Sequence, residues 1–175
     1  MQGKILRTIV PIGLMVLTLA TIRFPDILAR AAGRWLGLQN RLDPTSLHLQ
    51  GEFVESNLGS AREPDGSVTV RMIAQQYLFV PQCVLVPAGV TVHFRLTSAD
   101  AVHMLTIAGT EHGIEVVPGA VSQASFQFSH LGTFAMPCHE FCGPGHFAMR
   151  SRLIVVSQNQ FQSLSSTQRV NCESR

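Results

Sequence analysis

Pro137-Cys138-His139-Glu140-Phe141-Cys142-Gly143-Pro144-Gly145-His146-Phe147-Ala148-Met149 sets two thiols, two imidazoles and a thioether within twelve residues, Cys138 to Met149. Thiolate, thioether and imidazole make a soft donor set, and that set favours copper. Residues 133–137 before the stretch and 152–157 after it carry the short, apolar-rich pattern of strands, so the donors fall on a loop held at both ends. Such a loop can keep one geometry in both oxidation states of a redox metal. The fold is therefore the sheet structure that carries this loop.

Further out, period-two runs recur. Val68, Val70 and Met72 form one; Val90, Val92, Phe94 and Leu96 form another, each alternating with polar or smaller residues. Segments 80–86, 103–108 and 121–128 are further candidates, separated by Pro87-Ala88-Gly89, Pro118-Gly119 and Leu131-Gly132. About seven short strands with turn signals between them predict an all-β antiparallel sandwich. Ahead of it, Asp43-Pro44, Asn57-Leu58-Gly59 and Glu63-Pro64-Asp65-Gly66 break the chain, so 43–66 reads as an extended connector. Residues 158–175 are polar, rich in Gln and Ser, and are expected to fray. There is no internal repeat and no low-complexity tract.

The front end has a different character. From Ile5 to Phe24 the only charges are Arg7 and Arg23, one near each end, where long side chains can reach lipid headgroups. Twenty helical residues span about 30 Å of hydrocarbon, so 1–25 reads as a membrane anchor. A secretory signal is the competing reading, with Lys4 and Arg7 as its basic start and Thr18-Leu19-Ala20 as a cleavage site. Either reading exports the remainder of the chain. In 26–66, the apolar positions Ile27, Leu28, Ala31, Ala32, Trp35 and Leu36 fall at helical spacing, as in a helix lying in the membrane interface or packed on its own domain. Residues 1–42 carry six Lys and Arg against Asp26, a net +5, whereas 43–175 carry seven Arg against ten Asp and Glu, a net −3. That asymmetry fits a membrane-proximal segment followed by a body suited to a cationic partner, and nothing in it suggests nucleic-acid binding.

Within the loop, a Cys, a His four residues on and a Met three further is the spacing of a blue-copper loop. Cys138, four residues ahead of Cys142, adds a second thiolate that would let two sulfurs bridge two metal ions. A ligand still missing would be a distant His, and Ser98-Ala99-Asp100-Ala101-Val102-His103 supplies one at a predicted strand end. A disulfide between Cys138 and Cys142 is the plain alternative in an exported chain, but it leaves His103, His146 and Met149 unexplained. A Cys2His2 zinc site leaves Met149 without a purpose. Cys83 reads as a buried strand residue and Cys172 as a tail residue, reactive or merely tolerated. His48, His93, His112, His130 and His139 read as ordinary histidines.

Three pieces occur in order: Ser-x-Asp-x-x-His ending at His103, the Val117-Pro118-Gly119 turn, and the Cys-x-Glu-x-Cys-x3-His-x2-Met loop. Over residues 67–157 the chain resembles subunit II of cytochrome c oxidases and related haem-copper oxidases. The resemblance implies a cupredoxin-like Greek-key sandwich or barrel with one N-terminal transmembrane helix. It also implies a dinuclear copper A centre: two copper ions bridged by Cys138 and Cys142, one bound by His103 and the other by His146, with Met149 as a weak axial ligand and Glu140 giving its backbone carbonyl. The Glu140 side chain would help hold magnesium or manganese at the boundary with subunit I. Electrons would come from cytochrome c or a small copper protein and pass to haem in subunit I, which reduces oxygen to water, so the chain itself holds no catalytic residue. The copper domain would face the periplasm of a bacterial or archaeal cytoplasmic membrane. One anchor candidate rather than two resembles the shorter B-type form. The aromatic cluster usual before the domain is reduced to Tyr77 and Phe79, which become the electron-entry candidates, though two aromatics in a strand also suit a core. No Cys-x-x-Cys-His sequence is present, so no haem c is fused. A copper A subunit of a nitric oxide reductase and a free-standing exported copper carrier fit the same residues.

Overall fold

The computed structural model describes residues 41–165 and 169–172. The anchor expected over 1–25 and the helix expected beyond it lie outside those residues. Among the described residues, no helix is long and apolar enough to cross a membrane.

Among the described residues, ten strands form two main sheets and a separate hairpin. The first runs β1 (Gly59–Arg62), β2 (Val68–Gln75), β5 (Thr91–Ser98), β8 (Ser122–Gln127), with β3 (Leu78–Val80) also paired to β2. The second runs β4 (Cys83–Pro87), β10 (Arg150–Val156), β9 (Gly132–Pro137). A hairpin of β6 (His103–Leu105) and β7 (Ile114–Val116) stands beside them. Period two explains the layering. Val68, Val70, Met72 and Ala74 of β2 join Val92, Phe94 and Leu96 of β5 and Leu153 and Val155 of β10 in one buried cluster between the sheets. Ile73, on the opposite face of β2, packs instead with Leu47, Phe53 and Leu58, so the connector covers the outer face of the first sheet.

The all-antiparallel expectation needs correction. β2 pairs with β5 in parallel, Val70 opposite Phe94, and β4 pairs with β10 in parallel, Leu85 opposite Ile154. Alternation reports which face a residue takes and is blind to strand direction. The segment read as one strand over 80–86 is two: β3 ends at Val80, Pro81 removes a ladder donor, and β4 starts at Cys83 in the other sheet. By leaving and re-entering the first sheet between β2 and β5, the chain returns in the same direction.

Two further differences lie at the ends. The connector contains β1, which pairs with β2. It starts at Gly59, read as a breaker; there φ is +96° and a Cβ would sit 2.6 Å from the carbonyl oxygen of Val170, so only glycine fits. The tail is ordered over its described part. A helix, α1 (Gln158–Leu164), is capped by Ser157 Oγ, which accepts from Gln160 N–H at 3.3 Å, and it buries Phe161 completely. Val170 is buried in a bridge to Ser60, and Cys172 is disulfide-bonded to Cys83 with Cα atoms 5.4 Å apart. On the outer face of the first sheet, Glu52 bonds Arg95 and Arg71, and Glu63 joins Arg71 at 2.7 Å and Arg169 at 2.5 Å. Connector, sheet and tail thus share one ion-pair network.

Candidate metal centre

β9 and β10 are antiparallel neighbours, with Pro137 opposite Arg150, so the segment between them must return within a strand spacing of where it left. Cys138 N–H donates to the Met149 carbonyl at 3.0 Å and closes that return. Inside it, His146 N–H to the Gly143 carbonyl, Ala148 N–H to that of Gly145 and Met149 N–H to that of His146, each 3.0 Å, wind residues 146–148 into a short 3-10 turn. Tyr77 lies over the loop: a Cβ on Gly145 would come within 2.5 Å of its ring, and one on Gly143 within 2.5 Å of its hydroxyl. The two glycines let the ring touch backbone directly.

His103 arrives from 35 residues away because β6 runs beside the end of β9. Leu105 bridges Cys138, His139 N–H donates to the Met104 carbonyl at 2.8 Å, and Thr106 N–H donates to that of Pro137 at 3.1 Å. His103 is wholly buried, as is Met149 at 1% exposure, and both cysteines are buried and unpaired. No disulfide joins Cys138 to Cys142. Ligand atoms of His103, Cys138 and Cys142 all lie within 4.8 Å of one another.

The donors fall into two similar sets. Cys138 Sγ is 3.9 Å from His103 Nδ1 and 3.3 Å from the Glu140 carbonyl oxygen. Cys142 Sγ is 3.8 Å from His146 Nδ1 and 3.6 Å from Met149 Sδ. With metal–sulfur and metal–nitrogen bonds of about 2.3 and about 2.0 Å, sulfur–nitrogen gaps of this size correspond to angles near 125° at one shared ion. Each sulfur–imidazole pair is therefore spaced so that one ion could be shared between its two atoms. Burial pushes the Cys142 thiol up to about 11, and the neighbouring Cys138 adds to the effect. Two thiolates held here need a cation, and binding one releases protons.

Around these donors stands a set of positioning contacts that sequence reasoning left unassigned. His103 Nε2 is 2.9 Å from Asp100 Oδ1, which leaves Nδ1 directed at the sulfurs. Asp100 Oδ1 also accepts from Ala101 N–H at 2.6 Å, and Oδ2 accepts from Gln76 N–H at 2.6 Å. Burial works against the Asp100 carboxylate, but the bonds from Gln76, His103 and Ala101 outweigh it and hold the carboxyl below its usual value. The Gln76 side-chain amide donates to the Cys142 carbonyl. In the sequence Asp100 stands out as the Asp of Ser-x-Asp-x-x-His without a role of its own, and Gln76 carries no signal.

Of the other sequence candidates, Phe79 is fully buried with its ring edge-on to His103 at 6.4 Å, and Tyr77 is half-buried on the loop. Glu140 and His139 are exposed. His146 sits between Phe141 and Phe147, ring centroids 5.8 and 5.3 Å away, and those two rings are 69% and 85% exposed. An open cleft of about 370 Å³, lined by Pro137, Cys138, His139, His146, Phe147 and Met149, reaches the donors from the surface.

Comparison with known proteins agrees with this geometry. Residues 65–158 match the family model for the periplasmic domain of cytochrome C oxidase subunit II. Cytochrome c oxidase subunit 2 of Thermus thermophilus is 30% identical over 119 residues, 68% of this chain and 71% of the relative. Among solved structures, a chain of a heme-copper terminal oxidase dimer superimposes with a TM-score of 0.51 at 25% identity, covering 83% of this chain and 98% of that one. The periplasmic domain of subunit II of the cytochrome oxidase of Bradyrhizobium japonicum gives a TM-score of 0.51 at 20% identity, over 57% of this chain and 91% of that one, and shows the shared cupredoxin-like fold. With the matched span running from β2 through β10, and so enclosing every donor of the candidate centre, the chain belongs to the cytochrome c oxidase subunit II family.

Proposed function

We propose that this chain is the electron-entry subunit of a haem-copper terminal oxidase and holds a dinuclear copper A centre. The observation that carries the reading is the duplication within the donor set: two buried sulfurs, each with one imidazole nitrogen at 3.8–3.9 Å and one weak donor at 3.3–3.6 Å. Cys138 and Cys142 would supply the shared thiolates, His103 and His146 would each hold one copper, and Met149 and the Glu140 carbonyl would be weaker donors. When bound, the copper pair supplies a one-electron redox site whose bonds change little because the charge is shared. The chain keeps those bonds from changing further: the loop is closed by a backbone hydrogen bond, Asp100 fixes the His103 ring, and both sheets hold the two segments in place.

The same reading assigns the surroundings. Tyr77, half-buried over Gly143 and Gly145, is the aromatic through which an electron enters, since Phe79 has no exposed surface. Phe141 and Phe147 frame His146 as an apolar shoulder for a partner protein. Residues 1–25 anchor the chain once in the cytoplasmic membrane, with the copper domain on its outer face. The donor is cytochrome c or a small copper protein, the acceptor is haem in subunit I, and the Glu140 side chain would help hold magnesium or manganese at the boundary with that subunit. Purification of the native complex through a tag on this chain is the test. It should yield haem together with two coppers assignable to this chain and an electron paramagnetic signal from one electron shared over both. One copper per chain, zinc alone in protein made with copper present, or no co-purifying haem would overturn the proposal.

A further inference from the structure

His103 comes from the 98–103 segment beside the first sheet, whereas the other donors ride on the β9–β10 loop. β6 bonds to the start of that loop, His139 N–H to the Met104 carbonyl and Thr106 N–H to that of Pro137, and the tie at the Cys142 end comes from elsewhere. Gln76, in the turn between β2 and β3, touches both sides. Its main-chain N–H donates to Asp100 Oδ2 at 2.6 Å, and the other oxygen of that carboxylate faces His103 Nε2 at 2.9 Å. Its side-chain amide donates to the carbonyl of Cys142. The next residue, Tyr77, covers Gly143 and Gly145. Asp100 is itself locked by Ser98 Oγ, which accepts from Asp100 N–H at 3.2 Å and donates to the Ala101 carbonyl at 2.6 Å.

We propose that Gln76 is a positioning residue that braces the two ligand-bearing segments against each other and thereby tunes the metal held between them. The inference deepens the copper reading and rests on it for the identity of the metal. One residue spans the gap with two bonds of different kind: the main-chain half is independent of residue type and the side-chain half is not. Substitution at Gln76 therefore releases the Cys142 side and leaves the Asp100–His103 side in place. Gln76 is exposed overall, so its amide can be removed without opening the core. Outer contacts of this kind hold ligand geometry, and losing one costs about tenfold in metal affinity.

The experiment uses the full-length chain in detergent with Gln76→Met, which keeps length and loses the donor. Gln76→Glu, which turns an acceptor toward the Cys142 carbonyl, is the second variant. In the metal-free proteins, amide hydrogen exchange at His146, Ala148 and Met149, whose N–H groups bond inside the loop, should speed up about fivefold, the factor that corresponds to one lost hydrogen bond. With copper, the number of ions per chain should stay at the parent value. The copper dissociation constant, read by chelator competition, should rise about tenfold for Gln76→Met and further for Gln76→Glu. The reduction potential should move in both. A merely structural role would lower the melting temperature and leave the potential and the spectrum of the loaded protein at their parent values, and that result overturns the proposal. So does failure of both variants to fold, which would make Gln76 a residue of the fold. If the parent chain takes up no copper, the copper reading fails by itself, and the exchange rates of the metal-free proteins decide whether the brace exists.

Discussion

Replacing Cys172 by Ser opens the Cys83–Cys172 bridge, whose partners are 89 residues apart in sequence. A cross-link stabilises mainly by removing conformations from the unfolded chain. For a closed loop of about 89 residues the chain-entropy expression gives about 15 cal/mol/K, or about 4.6 kcal/mol at 25 °C. Unfolding entropy near 2.1 cal/mol/K per residue over about 130 folded residues amounts to about 0.27 kcal/mol/K, so the melting temperature should fall by up to about 17 °C. Cys83, buried in β4, remains as a small apolar side chain, which keeps packing losses out of the comparison. The assay is calorimetric unfolding of the full-length, metal-free chain, parent against Cys172→Ser, with the parent repeated in reductant. Cys138 and Cys142 are unpaired in the parent, so reductant acts on the bridge alone. A fall of less than about 3 °C would refute the reasoning, because unfolded-state restriction would then contribute little. Alkylation of Cys83 and Cys172 in the unreduced parent would refute the pairing itself.

The assigned ligand roles predict a hierarchy of losses. Cys138→Ser or Cys142→Ser removes a bridging sulfur from two ions and should leave one copper or none. Met149→Leu should keep both coppers and raise the reduction potential, since the lost thioether favours the oxidised form; copper counting, optical spectra and redox titration on the three variants check it, and equal copper loss in Met149→Leu and Cys138→Ser would refute the hierarchy. The third prediction concerns acid. The hydrogen bond from Arg95 holds the Glu52 carboxyl below its ordinary 4.5, with Arg71 adding to it and burial opposing. A folded-state value below the unfolded one stabilises above that unfolded value, and the gain is lost as pH falls through the folded value. Glu52→Gln should therefore be less stable than the parent at neutral pH and lose less stability between about pH 5 and about pH 3. Parallel pH dependences in denaturant titrations of the two proteins would refute it.

The candidate site was legible because its chemistry is concentrated. Five of the six proposed donors lie between Cys138 and Met149, and His103 follows a Ser-x-Asp turn whose residues announce hydrogen bonding. The sandwich was legible because the positions that face between the sheets alternate along the strands, as in Val68, Val70, Met72 and Ala74 and in Val92, Phe94 and Leu96. Strand direction was not, because Val70 makes the same apolar alternation whether Phe94 runs with it or against it. The ordered tail escaped because Phe161 and Val170 are too far apart to set a period, and because a disulfide to Cys83 leaves no trace at Cys172 itself. Gly59 was misread for a related cause. Glycine signals an unusual backbone, and here the need is close approach to Val170 at the start of a strand. Gln76 was invisible because half of its role belongs to its main chain, which every residue type but proline shares.

The hydrogen bond from Cys138 N–H to the Met149 carbonyl also bears on how such a centre diverges. It pins the two ends of the loop to strands whose register is set by Pro137 and Arg150, outside the donor-bearing interior. The interior is therefore an exchangeable cassette. Residues within 139–148 can be replaced, lengthened or shortened without altering the sheets, provided the backbone under Tyr77 stays glycine at 143 and 145. His103 and Asp100 belong to the fixed frame. Glu140, Cys142 and His146 ride on the exchangeable interior, whereas Cys138 and Met149 sit at its pinned ends.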